Sequence, residues 1–255
     1  MMTRVELLGE LIDLSHFLGD PQRNLAILGE GNTSARLDEE TFLVKASGQN
    51  LGSIAANGFC AVNFSKILPC YELPTPTDEV VKATLLDCRT DREVIVMPSV
   101  ETFFHAYFLT LPNVNFVGHT HPVSVNSILC SKNAREATSG RLFPDEVVCC
   151  GVAPCFVEYT DPGIVLAKLI KKRVEEYIDS YGETPKVVLM QNHGLIALGR
   201  NSKDVKAITL MYDKVCRVLL GAYTLGGPNF MSDEDVSRIH TRPDEHYRQR
   251  ALGQR

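Results

Sequence analysis

The chain has 255 residues, 44% hydrophobic and 22% charged, with a formal net charge of −5. That length supports one large domain or two small ones around a sizeable core. The absence of a long basic run argues against nucleic acid as a partner, and no apolar run approaches the roughly 18 residues needed to span a bilayer.

Residues 3–19 predict an amphipathic helix, with Leu7, Leu8, Leu11, Leu14 and Leu18 near helical spacing. Acidic residues interrupt it, so it does not read as a signal peptide. Glycines and small polar residues follow in "LGEGNTSARLDEE", then a strand over Thr41–Lys45, a small polar turn "ASGQN" and a strand "CAVNF". "PTPTDEVVKATLLDC" has the Pro, Thr and acidic first turn of a helix start. "EVIVMPS" reads as a strand and turn, and residues 100–111 as a helix capped by Ser99. "NVNFVGHTH" reads as a strand and "PVSVNSILCS" as a helix with Pro at its first position. "DEVVCCGVAP" and "CFVEY" read as strands, and "DPGIVLAKLIKKRVEEYI" as a helix. Two short strands, "KVVLM" and "GLIALG", flank "QNH". "SKDVKAITLMYDKVCRVLLGAYTLGG" is a long helix ending at paired glycines. Strands and helices alternate without repeats or low-complexity linkers, which predicts one α/β domain. The last 25 or so residues have weak periodicity. Their arginines (Arg238, Arg242, Arg248, Arg250, Arg255) interleave with acidic residues as in a solvated or subunit-wrapping tail. The eight cysteines contain no C-x-x-C pair, and even Cys149 and Cys150 sit in an apolar run. Reduced, mostly buried thiols and a cytoplasmic protein are expected.

Only seven histidines occur, and two of them flank Thr120 in "NFVGHTHPVS". Residues i and i+2 of a strand point to one side, so His119 and His121 suit half of a divalent metal site, the alternative being one exposed ring and one bonded to backbone. His193, in the break between two apolar strands, is a third ligand candidate. Glu101 and His105 lie four apart, on one helix face, and spacing alone does not assign both. His105, among Phe104, Tyr107 and Phe108, also fits a core histidine, and Glu101 also fits a first-turn carboxylate favoured by the helix dipole. Three imidazoles leave an open position suited to Lewis-acid catalysis, and a glutamate beside it can move protons.

Four stretches in order, "GEGNTSAR" (29–36), "VKASG" (44–48), "PSVETFFHAY" with "GHTHP" (98–122) and "QNHGLIALG" (191–199), resemble the class II aldolase/adducin family. That family includes the zinc-dependent fuculose-phosphate and rhamnulose-phosphate aldolases and ribulose-phosphate 4-epimerase. The resemblance spans roughly residues 5–225. It implies a single three-layer α/β domain with a central, largely antiparallel sheet flanked by helices. Residues 1–227 would be the catalytic domain, and 228–255 an extension expected to cover a neighbouring subunit. It further implies His119, His121 and His193 as ligands to Zn2+, or to another divalent metal such as Mn2+ or Co2+, and Glu101 as the catalytic acid/base. His105 would then not be a ligand. Gly31, Asn32, Ser47, Gly48 and Ser99 would line the substrate-phosphate pocket, as small residues let backbone N–H groups approach an anion. The implied assembly is a homotetramer.

The implied function is an aldolase that cleaves a ketose, a sugar phosphate in the first instance, through a metal-bound enediolate. Alternatives on the same site are a decarboxylase of a sugar acid or phosphate and a 4-epimerase. The family epimerase carries Asp where Glu101 stands. A non-catalytic, adducin-like interaction domain is the reading that the three histidines and the glutamate disfavour. One departure bears on the substrate: Val100 replaces the hydroxyl residue that phosphate-binding family aldolases carry before the glutamate, and Lys45 either offsets that loss or faces solvent. The family's tyrosine proton donor has no residue-by-residue counterpart here, although Tyr247 lies in the corresponding region.

Overall fold

Thr3 opens helix α1 (Arg4–Leu18) with a capping box: its hydroxyl accepts from the Glu6 N–H, and the Glu6 carboxylate reaches back to the Thr3 N–H. The computed structural model describes residues 2–74, 76–91 and 96–243. The strand expected in "EVIVMPS" falls mostly outside these residues, as do Tyr247, Arg248, Arg250 and Arg255.

The described elements follow as β1 (Asn32–Arg36), β2 (Thr41–Lys45), β3 (Phe59–Asn63), α2 (Phe64–Ile67) and α3 (Asp78–Asp87). Then come α4 (Thr102–Phe108), β4 (Phe116–Thr120), α5 (Val123–Leu129), α6 (Ala134–Ala137), α7 (Pro144–Cys150) and β5 (Cys155–Val157). The chain continues through α8 (Ile164–Tyr181), β6 (Val187–Met190), β7 (Gly194–Gly199), α9 (Ser202–Thr224) and α10 (Asp233–Thr241). The seven strands form one sheet in the order β3-β2-β1-β4-β7-β6-β5, antiparallel throughout except for the β5–β6 pair.

Period-2 alternation sends apolar side chains to both faces of this sheet. Phe42, Val44, Val117 and Ile196 join Phe104, Phe108 and Ile170 of α4 and α8 in one core. Leu43, Phe116, Leu195 and Ala197 join Leu11, Val125, Val205 and Tyr212 of α1, α5 and α9 in the other. Helix layers therefore cover both faces, as expected from the sequence. Six of the eight cysteines are buried, Cys149 is half-buried and Cys130 exposed, all as free thiols. Burial raises Cys60 to about 11 and Cys88 and Cys155 to about 12, which keeps these thiols unreactive near neutrality. Among the described residues no helix is long and apolar enough to cross a membrane.

Besides shifted bounds, such as the helix expected over 100–111 that runs Thr102–Phe108 with Glu101 rather than Ser99 at its N-cap, two elements differ from the sequence reading. "EVVCC" is helical, not a strand. Pro144 sits at the first helical position with Asp145 and Glu146 in the first turn. Glu146 is held by the buried Arg141 guanidinium at 2.8 Å and by the Leu142 N–H. The other difference is β1, whose residues "NTSAR" carry almost no apolar signal. Its polar side chains are buried against polar partners on both faces: Thr33 against Ser15 of α1 at 2.6 Å, Ser34 against His105 of α4 at 2.7 Å. The segment after Gly227 packs on its own chain as far as it is described. Phe230 covers Gly140, the Met231 N–H donates to the Arg141 carbonyl at 2.8 Å, and α10 lies on α7.

Candidate metal centre and its carboxylate

The antiparallel pairing of β4 with β7 places His119 opposite Ile196 and Thr120 opposite Leu195. The end of β4 therefore lies beside the start of β7. β6 and β7 form a hairpin whose three-residue link, Gln191–His193, turns through Asn192 at φ 56°. That turn returns His193 to the same sheet end. β4 stops at Thr120, so His121 lies just past the strand, with its N–H donating to the Leu25 carbonyl at 2.8 Å. The two imidazoles converge nonetheless, with ring centroids 4.6 Å apart. His193 is 4.9 Å from His119 and 5.1 Å from His121 by the same measure.

His119 is fully buried, and its Nδ1 lies 3.0 Å from the Leu195 carbonyl. A carbonyl only accepts, so Nδ1 carries a proton and Nε2 is the nitrogen that faces the site, able to ligate a cation once deprotonated. The Nε2 atoms of His119 and His121 lie 2.9 Å apart. Oε1 of Glu101 lies 3.4 Å from Nε2 of His119 and 3.1 Å from Nε2 of His193. Tetrahedral donors about 2.05 Å from a zinc ion stand about 3.3 Å from one another. The three imidazoles, whose ligand atoms all lie within 4.8 Å of one another, therefore fit a divalent cation, and Oε1 of Glu101 lies beside two of them. Glu30 flanks the cluster with a carboxylate oxygen 3.8 Å from Nδ1 of His121.

Small residues make this convergence possible. A Cβ on Gly194 would meet the Thr120 carbonyl at 2.6 Å, Cδ2 of His121 at 2.7 Å and Cε1 of His119 at 3.2 Å. Gly31 adopts φ +67°, and a Cβ there would meet the His119 carbonyl at 2.5 Å.

Glu101 sits at the N-terminal cap of α4, and its N–H donates to Oγ of Ser99 at 3.3 Å. Burial alone would raise its pKa, but the imidazoles of His119 and His193 outweigh this and hold it well below the usual carboxylate range. The side-chain amide of Asn32 donates to its other oxygen, Oε2. His105 is no part of the ligand cluster: its Nδ1 meets Ser34, its Nε2 meets Asn32, and its ring stacks on Phe104.

The residues expected around a substrate phosphate fall in two groups. Gly31 and Asn32 are buried beside His119. Ser47 and Gly48 are exposed and Ser99 is half-buried. The two loops adjoin through the Ala46–Pro98 bridge and the Ser47 N–H donating to the Met97 carbonyl at 2.8 Å. Gly48 has φ +75° and open space where a Cβ would stand. Lys45 does not face solvent. It is 3% exposed, its ammonium reaches the Gly29 carbonyl at 3.4 Å, and burial lowers its pKa while Glu101 pulls it back up. Sequence reasoning left Lys45 open and missed Ser34 and Glu30. The alternation of β2 carried no hint that a lysine would close a buried strand end.

Acid is expected to destabilise the metal-free protein. Burial lowers His105 to about 3, and burial with the neighbouring His119 and His193 lowers His121 to about 3, whereas both titrate near 6.5 when unfolded. Between those values the unfolded chain binds protons that the fold refuses. Stability therefore falls as pH falls, by about 1.4 kcal/mol per pH unit for each such histidine. Thermal melts of chelated protein at pH 7 and pH 5 test this, and equal midpoints would contradict it.

A cavity of about 540 Å³ opens at the other end of β7, beside Gly199, Arg200 and Asp204, and none of the predicted site residues lines it. The chemistry-bearing groups gather instead at the sheet end described above.

The sheet end of this three-layer fold gathers three imidazoles that could hold a divalent metal, with one carboxylate beside them. The chain belongs to the class II aldolase and adducin N-terminal domain family, whose model matches residues 10–220. It is 30% identical over 202 residues to the uncharacterized oxidoreductase YuxG of Bacillus subtilis, covering 76% of this chain but only 27% of that protein, so it spans about a quarter of that relative's length. It is 21% identical over 224 residues to the 3-oxo-tetronate 4-phosphate decarboxylase of Haemophilus influenzae, covering 87% of this chain and 90% of the relative. Among solved structures, an L-fuculose 1-phosphate aldolase superposes with a TM-score of 0.68 at 16% identity, covering 94% of this chain and 96% of the other.

Proposed function

We propose that this protein is a divalent-metal-dependent carbon–carbon lyase, an aldolase that cleaves a ketose phosphate by retro-aldol chemistry. The observation that carries the reading is the carboxylate oxygen of Glu101, 3.1 and 3.4 Å from two imidazoles of a cluster built for a cation. A divalent ion held by His119, His121 and His193, with zinc as the first choice and manganese or cobalt as alternatives, supplies Lewis acidity toward substrate oxygens. The remaining work falls to the chain. Glu101, ionised in the resting site, takes up the hydroxyl proton that the substrate loses as the carbon–carbon bond breaks and passes it to the substrate carbon left electron-rich, the same proton running back in the reverse direction. Asn32 holds one carboxylate oxygen so that the other faces the substrate. Gly31, Ser47, Gly48 and Ser99 offer an anion the close backbone approach it needs, and Lys45 adds positive charge nearby.

A decarboxylase is the second reading. Val100 stands where a phosphate-binding hydroxyl is expected and is 40% exposed. The decarboxylase relative aligns over most of the chain. Assembly as a cytoplasmic homotetramer is also proposed. The exposed Ile27, Leu28 and Val123, close in sequence to Glu30 or His121, and Tyr159, whose N–H donates to the Gln191 side chain, offer apolar surface for a neighbour around the site. Light scattering that returned a monomer would exclude the tetramer.

Metal-loaded protein with dihydroxyacetone phosphate in D₂O tests the lyase reading without a known aldehyde. Loss of one hydroxymethyl proton signal is expected, and its retention in a chelated control. Retention with fully metallated protein would reject this donor. Carbon dioxide release from a 3-oxo sugar-acid phosphate would then favour the decarboxylase.

A further inference from the structure

Behind Glu101 runs a buried chain of side-chain hydrogen bonds that the proposed chemistry does not by itself require. Ser34 meets Nδ1 of His105 at 2.7 Å, Nε2 of His105 meets Oδ1 of Asn32, and Nδ2 of Asn32 meets Oε2 of Glu101. Asn32 and Ser34 share one face of β1, two residues apart. Glu101 and His105 share one side of α4, four residues apart. Asn32 is 2% exposed, and Ser34 and His105 are fully buried.

The direction of every bond follows from one end. An ionised carboxylate only accepts, so Asn32 must turn its amide N–H toward Glu101. Its carbonyl oxygen then faces His105, and the histidine must carry its proton on Nε2. Nδ1 is left bare, so the Ser34 hydroxyl donates to it. Reversing the Asn32 amide would set its oxygen against the carboxylate, a clash that neither tautomer of His105 relieves. Burial, which lowers His105 to about 3, keeps that ring neutral, and its two hydrogen-bond partners select the tautomer.

We propose that His105, anchored by Ser34 and acting through Asn32, is a positioning residue that fixes the orientation of the Glu101 carboxylate. Oε2 is occupied by this chain and Oε1 alone is presented to the imidazole cluster and to substrate. The inference rests on the reading of Glu101 as the proton carrier. Outer partners of this kind are worth roughly 10- to 100-fold in activity.

Two measurements test it. Nitrogen-15 NMR of histidine-labelled protein reads the His105 tautomer, with or without zinc and without substrate. Wild-type protein is expected to show Nε2 protonated and Nδ1 bare. Asn32→Ala is expected to lose that single-tautomer pattern, because the carboxylate no longer dictates it. An Nδ1-protonated ring in the wild type, or a pattern indifferent to Asn32→Ala, would overturn the proposal. In the dihydroxyacetone phosphate exchange assay, His105→Leu and Asn32→Ala are each expected to lower kcat about 10- to 100-fold at unchanged metal content. For His105→Leu, KM should also stay unchanged. The double variant should lose no more than either single one, as residues acting in series are non-additive. Losses that multiply, or a His105→Leu effect confined to KM, would reject it. Should His105→Leu fail to fold, Ser34→Ala at the outer end is expected to give a smaller kcat loss in the same direction, and no loss would count against the relay. Wild-type protein inactive in exchange would refute the reaction assigned above, whereas the nitrogen spectra judge the relay independently.

Discussion

Glu101→Gln is expected to leave zinc bound and to slow hydroxymethyl proton exchange by about 10²- to 10⁴-fold, the usual contribution of a positioned acid or base. Glutamine matches glutamate in size. Its carbonyl oxygen can still accept from Asn32, and the cap of α4 is formed by backbone and Ser99, which the substitution leaves in place. The metal site keeps all three imidazoles. What is lost is the ability to take up a proton beside the cluster. The neutral side chain also withdraws a negative charge 3.1 Å from His193, so cation affinity is expected to drop modestly. Metal content by elemental analysis and exchange by NMR separate the two effects. Wild-type exchange rates in a fully metallated variant would remove Glu101 from the role.

His119→Ala is expected to lose most of the bound metal, and activity with it. Its imidazole stands between the other donors, 2.9 Å from His121 and 3.4 Å from Glu101, and its tautomer is already set by Leu195. Two half-buried imidazoles remain without it, too few for a structured zinc site. Zinc should raise the melting temperature of the wild type by mass action and leave that of the variant unchanged. Gly194→Ala is the informative companion: it keeps every ligand but drives a methyl group against the rings of His119 and His121. A weakened but detectable zinc shift is expected. A full equivalent of tightly held metal in His119→Ala would show that the ligand set is wrong.

The three histidines were legible in the sequence as ligand candidates because their positions follow from local rules, and the family resemblance joined them into one set. His119 and His121 lie two apart at the end of an apolar run, and His193 lies in a tight break between two strands. Glu101 and His105 illustrate the limit of such rules. Both fit one helix face, and spacing could not say which one meets the cluster. The resemblance to known aldolases chose Glu101. The packing shows why His105 is withdrawn: β1 lies against α4 and engages its ring.

The sequence by itself determined the alternation of strands and helices and put forward three histidines with Glu101 and His105 as site candidates, because burial periodicity and turn chemistry act over a few residues. The helix-flanked sheet and the choice of Glu101 were what the family resemblance implied. Only the tertiary structure decided that "NTSAR" is a strand, that "EVVCC" is a helix and that Lys45 is buried. It alone decided which Glu101 oxygen is free. Those outcomes depend on polar groups meeting partners from distant segments. Thr33 is stable inside the core because Ser15 is there to bond it, and Asn32 because Glu101 and His105 are. A buried hydrogen bond is paid for by its partner, and no local pattern reveals a partner some seventy residues away.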